Sequence, residues 1–121
     1  MLTEVFFHGT ALRAPLSYAQ STLAERTRHC NGMGPSGLGF LVPDTFWGLD
    51  MAICGDIHDW CYTFGHQDGL TREQADEMFL DNMRTYVIAN SNWLTRRLRL
   101  RRAKTYHYFV TTGGAKHWRS Q

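Results

Sequence analysis

One histidine stands among residues that suit acid–base chemistry. Cys54 precedes His58 by four residues, and Cys61 and Tyr62 follow it at three and four. On a helix these neighbours share or border one side, so His58 is predicted to point toward the protein interior. Asp59 lies about 100° further round the same helix and is expected to face whatever packs beside that helix.

An acid in the next helical segment could pair with this histidine. Asp76 shares a predicted apolar face with Phe79 and Met83, and an acid in such a place requires a partner. Two helices joined by a short turn would bring Asp76 opposite His58. A carboxylate that fixes the tautomer of a histidine and stabilises its protonated form makes that histidine a general base. Since no serine or cysteine is evidently placed as a nucleophile, the attacking group would be water.

A glycine-rich segment precedes the histidine and could bind a cation. Residues 30–39 contain four glycines and Pro35, a composition that predicts an irregular loop. Such a backbone can turn several carbonyl groups inward, and Ca²⁺ prefers six to eight oxygen ligands. Taken singly, a His–Asp pair or a glycine loop is more often structural than functional. Their combination in this order favours a site.

A zinc site is an alternative use of the same region. Cys30, Cys54, His58 and Cys61 could in principle form a Cys₃His site. Cys54 and Cys61 are separated by about 10.5 Å of helical rise, which is too far to share one ion, or a disulfide bond, on a straight helix. A bond from Cys30 to either of them stays open.

The surrounding pattern predicts helices to position these residues. We expect one amphipathic helix over residues 16–29, and a second that starts near Pro43 and ends at Gly65. Apolar residues recur at close to helical period through this second segment, and the alternation that a strand needs is nowhere sustained.

Two further helices are predicted beyond a short turn. Thr71 and Gln74 form a capping box at the start of one helix, residues 90–92 interrupt it, and another covers residues 93 to about 112. Gly113 ends this last helix, in which the aromatic residues Tyr106, Tyr108 and Phe109 are expected to be buried. The fold is therefore predicted to be mainly α, with two long helices nearly antiparallel across residues 65–70 and a third C-terminal helix.

Length and composition set limits on the class of protein. The 121 residues predict a single domain, 1–121. An apolar fraction of 43% excludes a largely disordered chain, and no apolar run approaches the ~18 residues of a membrane span. The start lacks the features of a secretory signal. With three cysteines, at least one thiol is free in a monomer, which suits synthesis in a reducing cytoplasm.

Charge is divided unevenly along the chain. All 11 acids lie between Glu4 and Asp81 beside four basic residues, a net charge of −7, whereas nine basic residues and no acid follow. Residues 96–104 hold six of these cations. The acidic part of the sequence, up to Asp81, suits a bound cation, and the basic part that follows suits an anionic partner. That partner could be a membrane surface or nucleic acid; otherwise the segment is a solvated helix face.

Three segments resemble secreted-type phospholipase A2, with spacing closest to bacterial, fungal and viral members. The active-site helix is matched by the pattern Cys54-x-x-x-His58-Asp59-x-Cys61-Tyr62. The calcium loop is matched by residues 30–37, and the second active-site helix by Arg72-x-x-Ala75-Asp76-x-x-Phe79-x-x-x-Met83. Together they cover about residues 30–83. Tyr106-x-Tyr108-x-Val110 before two glycines is also similar to the bacterial type.

The resemblance implies a calcium-dependent hydrolase that cleaves the sn-2 acyl ester of glycerophospholipids at a membrane surface. It makes His58 the base that activates water, Asp76 the residue that orients it, and Tyr62 a hydrogen-bond donor to Asp76. It assigns Ca²⁺ to the Asp59 carboxylate and to backbone carbonyls. These carbonyls would lie near Cys30, Gly32 and Gly34.

Two departures from the family pattern stand out. No cysteine follows Cys61, so the disulfides that join the two active-site helices in animal members cannot form here. Asn31 and Pro35 also occupy loop positions where the family often has other residues. The alternative to an enzyme is a catalytically silent binding or assembly protein, such as a nucleic-acid-binding or viral-particle component, that uses the basic segment. Without a secretory signal, release by lysis, a dedicated secretion route or carriage in a phage particle all stay open.

Overall fold

The computed structural model describes residues 2–30 and 45–119, and most of them are helical, as predicted. The strands are β1 (Leu2–Phe7), β2 (Thr10–Pro15), β3 (Thr45–Phe46) and β4 (Leu49–Asp50). The α-helices are α1 (Leu16–Ala19), α2 (Leu23–His29), α3 (Ala52–Phe64), α4 (Arg72–Asn90) and α5 (Trp93–Gly113). Two 3₁₀ turns cover Gly65–Asp68 and Ala115–His117.

The first element is an antiparallel hairpin, so the expectation that strands are absent was wrong. Strand β1 pairs with β2 across a two-residue turn in which His8 and Gly9 both have positive φ, 48° and 79°, the geometry of a type I′ turn. Alternate residues of β1 are exposed and half-buried. Phe6 is 72% exposed on the outer face, and this apolar residue on the solvent side concealed the polar–apolar alternation.

Two predicted helix boundaries were also wrong. Residues 16–29 form two short helices because Thr22 starts α2 anew with a capping box to Glu25. The helix expected from near Pro43 begins only at Ala52, since residues 45–50 form the small β3–β4 hairpin. At its tip Trp47 and Gly48 have φ of 50° and 86°, which no right-handed helix accommodates.

The three long helices confirm the remaining boundaries. Helix α3 gives way to a 3₁₀ turn at Gly65. The predicted capping box is present at the start of α4, where Thr71 accepts from the Gln74 N–H and Gln74 accepts from the Thr71 N–H. Asn92 caps α5, and that helix ends at Gly113.

Helices α3 and α4 pack so that their residues meet in opposite order. His58 stacks on Phe79, while Tyr62, one turn later in α3, bonds to Asp76, almost one turn earlier in α4. The 3₁₀ turn Gly65–Asp68 and two linking residues connect the helices. The predicted antiparallel pair is therefore present.

The inner face of α4 lies at the centre of the core. It buries Phe79 and Met83, as predicted, together with Ala75, Met78, Tyr86 and Val87. The side chain of Asn82 bonds to both the N–H and the C=O of Arg13, at 2.8 Å each, and so attaches β2 to α4.

Helix α5 covers another side of α4 and is only partly buried. Tyr106 is in the core, as expected, but Tyr108 is 63% exposed and Phe109 56% exposed, against the prediction. The fully buried residues of α5 are Ala103 and Tyr106. Among the residues that the structure describes, no helix is long and apolar enough to cross a bilayer.

Candidate active site

The structure brings His58 and Asp76 together, as the sequence predicted. The His58 Nε2 and Asp76 Oδ1 atoms are 2.8 Å apart, and both residues are buried. The ring of Phe79 stacks on His58 with centroids 4.3 Å apart and planes inclined by 25°. The hydrogen-bond partner of His58 and the plane of its ring are thus both fixed.

Asp76 is held by two more residues. The Tyr62 hydroxyl donates to Asp76 Oδ1 at 2.7 Å, which confirms the predicted contact. Arg72, one turn before Asp76 on α4, places Nη1 3.9 Å from Oδ2. The same Nη1 donates to the carbonyls of Val110 and Thr111 near the end of α5, at 3.4 Å each.

Arg72 therefore places a positive charge beside a buried carboxylate and joins α4 to α5. Sequence reasoning gave Arg72 no role, although the four-residue spacing to Asp76 is the usual signal for an ion pair on a helix. The carbonyls that Arg72 reaches are far along the chain, and no local pattern indicates them.

The environment keeps His58 neutral at neutral pH. Burial lowers the pKa of His58 below its ordinary value of 6.5, against the opposing hydrogen bond and charge of Asp76. Because a carboxylate only accepts hydrogen bonds, the proton of neutral His58 is on Nε2. Nδ1 is then left with a free lone pair, as a general base requires.

Tyr62 stays protonated for a similar reason. Burial raises the pKa of Tyr62, and the hydrogen bond and charge of Asp76 raise it further. The hydroxyl is therefore a permanent donor to Asp76 in the physiological pH range.

Residues 114–119, near the C-terminal end of the described chain, pack against Tyr62. The Trp118 ring meets the Tyr62 ring edge to face with centroids 5.2 Å apart, and the Arg119 N–H donates to the Tyr62 carbonyl at 2.9 Å. Gly114 packs so closely that a Cβ there would lie 2.5 Å from the Tyr62 hydroxyl. Sequence analysis assigned Gly114 only a helix-ending role, because this contact spans some fifty residues of chain.

The residues assigned to calcium are only partly within the described chain. Asp59 is half-buried on α3. Cys30 ends α2, where its thiol donates to the Asp56 carbonyl at 3.2 Å. Burial raises the pKa of Cys30 to about 12, and the nearby charges of Asp56 and Asp59 contribute. Gly32 and Gly34 lie outside the described residues.

This donor set is compatible with Ca²⁺. The Cys30 thiol bonds to the Asp56 carbonyl, so the last described residue before the glycine-rich segment lies against the helix that carries Asp59. A hard cation takes such a mixture of carboxylate and carbonyl oxygens.

The zinc alternative is wrong. In the described residues, which include all four candidate ligands, no three His, Cys, Asp or Glu side chains are grouped to hold a metal ion. The reason is that Cys54 and Cys61 are separated by about 10.5 Å of rise on α3 and are both buried in the core. The three cysteines are free thiols, so the disulfide bond left open for Cys30 is absent.

Comparison of the chain with protein-family models, with curated proteins and with solved structures found no match. The geometry described above is thus the basis for a functional conclusion.

Proposed function

We propose that the protein is a calcium-dependent phospholipase A2-like enzyme that hydrolyses the sn-2 acyl ester of glycerophospholipids. The buried His58–Asp76 pair, with Asp76 held by Tyr62 and Arg72, is the observation that carries the proposal. A core histidine needs only one satisfied hydrogen bond. Here Asp76 orients His58, and two further side chains, Tyr62 and Arg72, hold Asp76 in place.

The residues support water activation. His58 Nδ1 takes a proton from water while the water oxygen attacks the ester carbonyl carbon. Asp76 stabilises the positive charge that this places on the ring. When the bond to the glycerol oxygen breaks, His58 returns the proton to that oxygen, which leaves a fatty acid and a lysophospholipid.

Calcium would be held by the Asp59 carboxylate and by carbonyls near Cys30, Gly32 and Gly34. When bound, Ca²⁺ supplies polarisation of the ester carbonyl and stabilisation of the developing negative charge. The three glycine-loop positions remain predictions from the resemblance.

Release of fatty acid from phospholipid vesicles tests the proposal. We expect release of the sn-2 fatty acid with calcium, its loss with a chelator, and its recovery when calcium is restored. Lysophospholipid that retains the sn-1 chain would identify the cleaved bond. If no vesicle composition gives fatty-acid release in the presence of calcium, the proposal is wrong.

A second candidate is a non-catalytic binding or assembly protein. The exposed cations of α5 favour it, because hydrolysis by His58 does not itself need them. A protein of this class would bind its partner equally well after His58→Asn, and the wild type would release no fatty acid.

A further inference from the structure

The exposed side of α5 carries an ordered stripe of aromatic and cationic residues. Trp93, Arg97, Arg101, Lys104 and Tyr108 follow one another at intervals of four, four, three and four residues, and all five are exposed. At 3.6 residues per turn they lie within about 80° of one another. The stripe is about 22 Å long, with three cations in the middle and an aromatic residue at each end.

The structure separates this stripe from a cation with a different role. Arg99 turns away from it and donates to the carbonyls of Phe46, Trp47 and Asn90 and to the Ser91 hydroxyl. It ties the β3–β4 hairpin to the turn before α5. The sequence alone could not sort the six cations of residues 96–104 into such classes.

Apolar residues border the stripe. Leu94, Leu98 and Phe109 are exposed along one edge. Trp93 is 77% exposed, an unfavourable position for a large apolar ring in water. Helix α5 itself carries no acid, and the ion pair that Glu77 of α4 forms with this helix involves His107, outside the stripe.

We propose that this face of α5 adsorbs to the surface of an anionic phospholipid bilayer. Cations near such a surface contribute about 1 kcal/mol each, and tryptophan and tyrosine favour the boundary between headgroups and acyl chains. An interfacial helix combines these same two features. Adsorption is a separate property from hydrolysis, and it goes beyond the proposed function.

Charge argues against a second copy of the chain as the occupant. Two copies joined face to face through this stripe would bring three cations against three cations, which is repulsive. Nucleic acid would satisfy the cations, but phosphate and sugar offer nothing to the leucines at the edge.

The charge part is tested with vesicles of equal parts phosphatidylcholine and phosphatidylglycerol, both ether-linked so that no sn-2 ester can be cleaved. The protein carries His58→Asn throughout and the buffer contains a chelator, so a failed enzymatic proposal does not affect the result. Replacing Arg97, Arg101 and Lys104 with Gln should weaken vesicle binding about 100-fold. Raising the salt concentration should weaken wild-type binding as well.

A matched control changes the same number of charges elsewhere. Arg28, Arg84 and Lys116 are exposed on other elements, and their replacement with Gln lowers the net charge equally. This variant should bind vesicles nearly as well as the parent. Equal losses in the two triple variants would overturn the proposal, because attraction would then depend only on net charge.

Insertion of the aromatic residues is tested by fluorescence. Tryptophan emission should shift to shorter wavelength when vesicles are added, and Trp93→Phe should remove the shift. Trp47, which is also exposed, serves as the control, and Trp47→Phe should retain it. Retention of the shift in Trp93→Phe would contradict insertion of this stripe.

Binding to oligonucleotides distinguishes the other partner. If a single- or double-stranded oligonucleotide binds more tightly than the vesicles and the stripe variant loses that binding, the surface is a nucleic-acid site and the lipid proposal is wrong.

Discussion

His58 is buried with one carboxylate partner, so replacing it should remove catalysis without unfolding the protein. In His58→Asn the imidazole is removed, but Asp76 keeps its contacts with Tyr62 and Arg72. We expect a fall in kcat of about 10²–10⁴-fold or more, measured as fatty-acid release. The control is His8→Asn, an exposed histidine at positive φ where asparagine fits well, and it should keep full activity. Near-normal turnover by His58→Asn would refute the role of the dyad.

The pH dependence of activity should report how burial and Asp76 act in opposite directions on the pKa of His58. Only the neutral ring accepts a proton from water, so activity falls as pH drops through the pKa of His58. Because burial lowers that pKa, the midpoint of the acid limb should lie below pH 6.5. Asp76→Asn removes the groups that raise the pKa, so the limb should move to still lower pH while the maximum rate decreases. A limb that moves to higher pH would contradict this electrostatic account.

At the scale of residues, much of the site could be predicted. His58 and Asp76 were identifiable because helical spacing and the need to pair a buried acid are local rules, whereas the contact of Tyr62 with Asp76 was implied by the resemblance. Arg72 was identifiable in principle from its spacing to Asp76. Trp118 and the close approach of Gly114 were not, because they depend on how a distant segment returns to α3.

At the scale of elements, the packing of the C-terminal segment against α3 can be tested with substitutions at two neighbouring glycines, Gly113 and Gly114. Gly114→Ala would place a methyl group against both the Val110 carbonyl oxygen and the Tyr62 hydroxyl. We expect a loss of about 1–3 kcal/mol in the free energy of unfolding, the usual cost of overpacking, and reduced activity. Gly113→Ala has no neighbour within 4 Å and should be neutral or slightly stabilising. Denaturant unfolding measures both, and equal stability of the two variants would contradict the contact.

Arg99 should behave unlike the cations next to it. It makes four hydrogen bonds that join the β3–β4 hairpin, the α4–α5 turn and α5. Arg99→Gln should lower the melting temperature clearly, since hydrogen bonds from charged groups contribute about 1.5–3 kcal/mol each. Arg97→Gln, which changes an exposed residue, should leave the melting temperature nearly unchanged. If the two variants melt together, Arg99 is not the structural link that we describe.

Helices were more predictable than strands in this chain. The ends of α4 and α5 follow from local caps at Thr71 and Asn92, which act within a few residues. The β1–β2 hairpin was missed because Phe6 occupies its solvent face, and the β3–β4 hairpin because its two-residue strands are too short to show a pattern. Both turns rely on a non-glycine residue at positive φ, His8 or Trp47.

At the scale of the whole molecule, stability comes from packing without disulfide bonds. Burial raises the pKa of all three thiols, so little thiolate is available for alkylation of the native protein. We expect slow modification, with the half-buried Cys30 reacting before Cys54 and Cys61, and three modified cysteines after unfolding. Mass spectrometry provides the count. Reductant should leave activity intact, and inactivation by mild reduction would show that a disulfide bond is needed after all.

The Tyr62–Trp118 contact has a spectroscopic consequence. An indole and a phenol held edge to face give near-ultraviolet circular dichroism that disappears when specific packing is lost. Since the same phenol donates to Asp76, this signal reports whether Tyr62 is correctly packed beside Asp76 in the absence of substrate. A difference spectrum between the wild type and Trp118→Phe isolates that contribution. The signal therefore distinguishes a variant whose candidate site has lost its packing from a variant that keeps the packing and is only inactive.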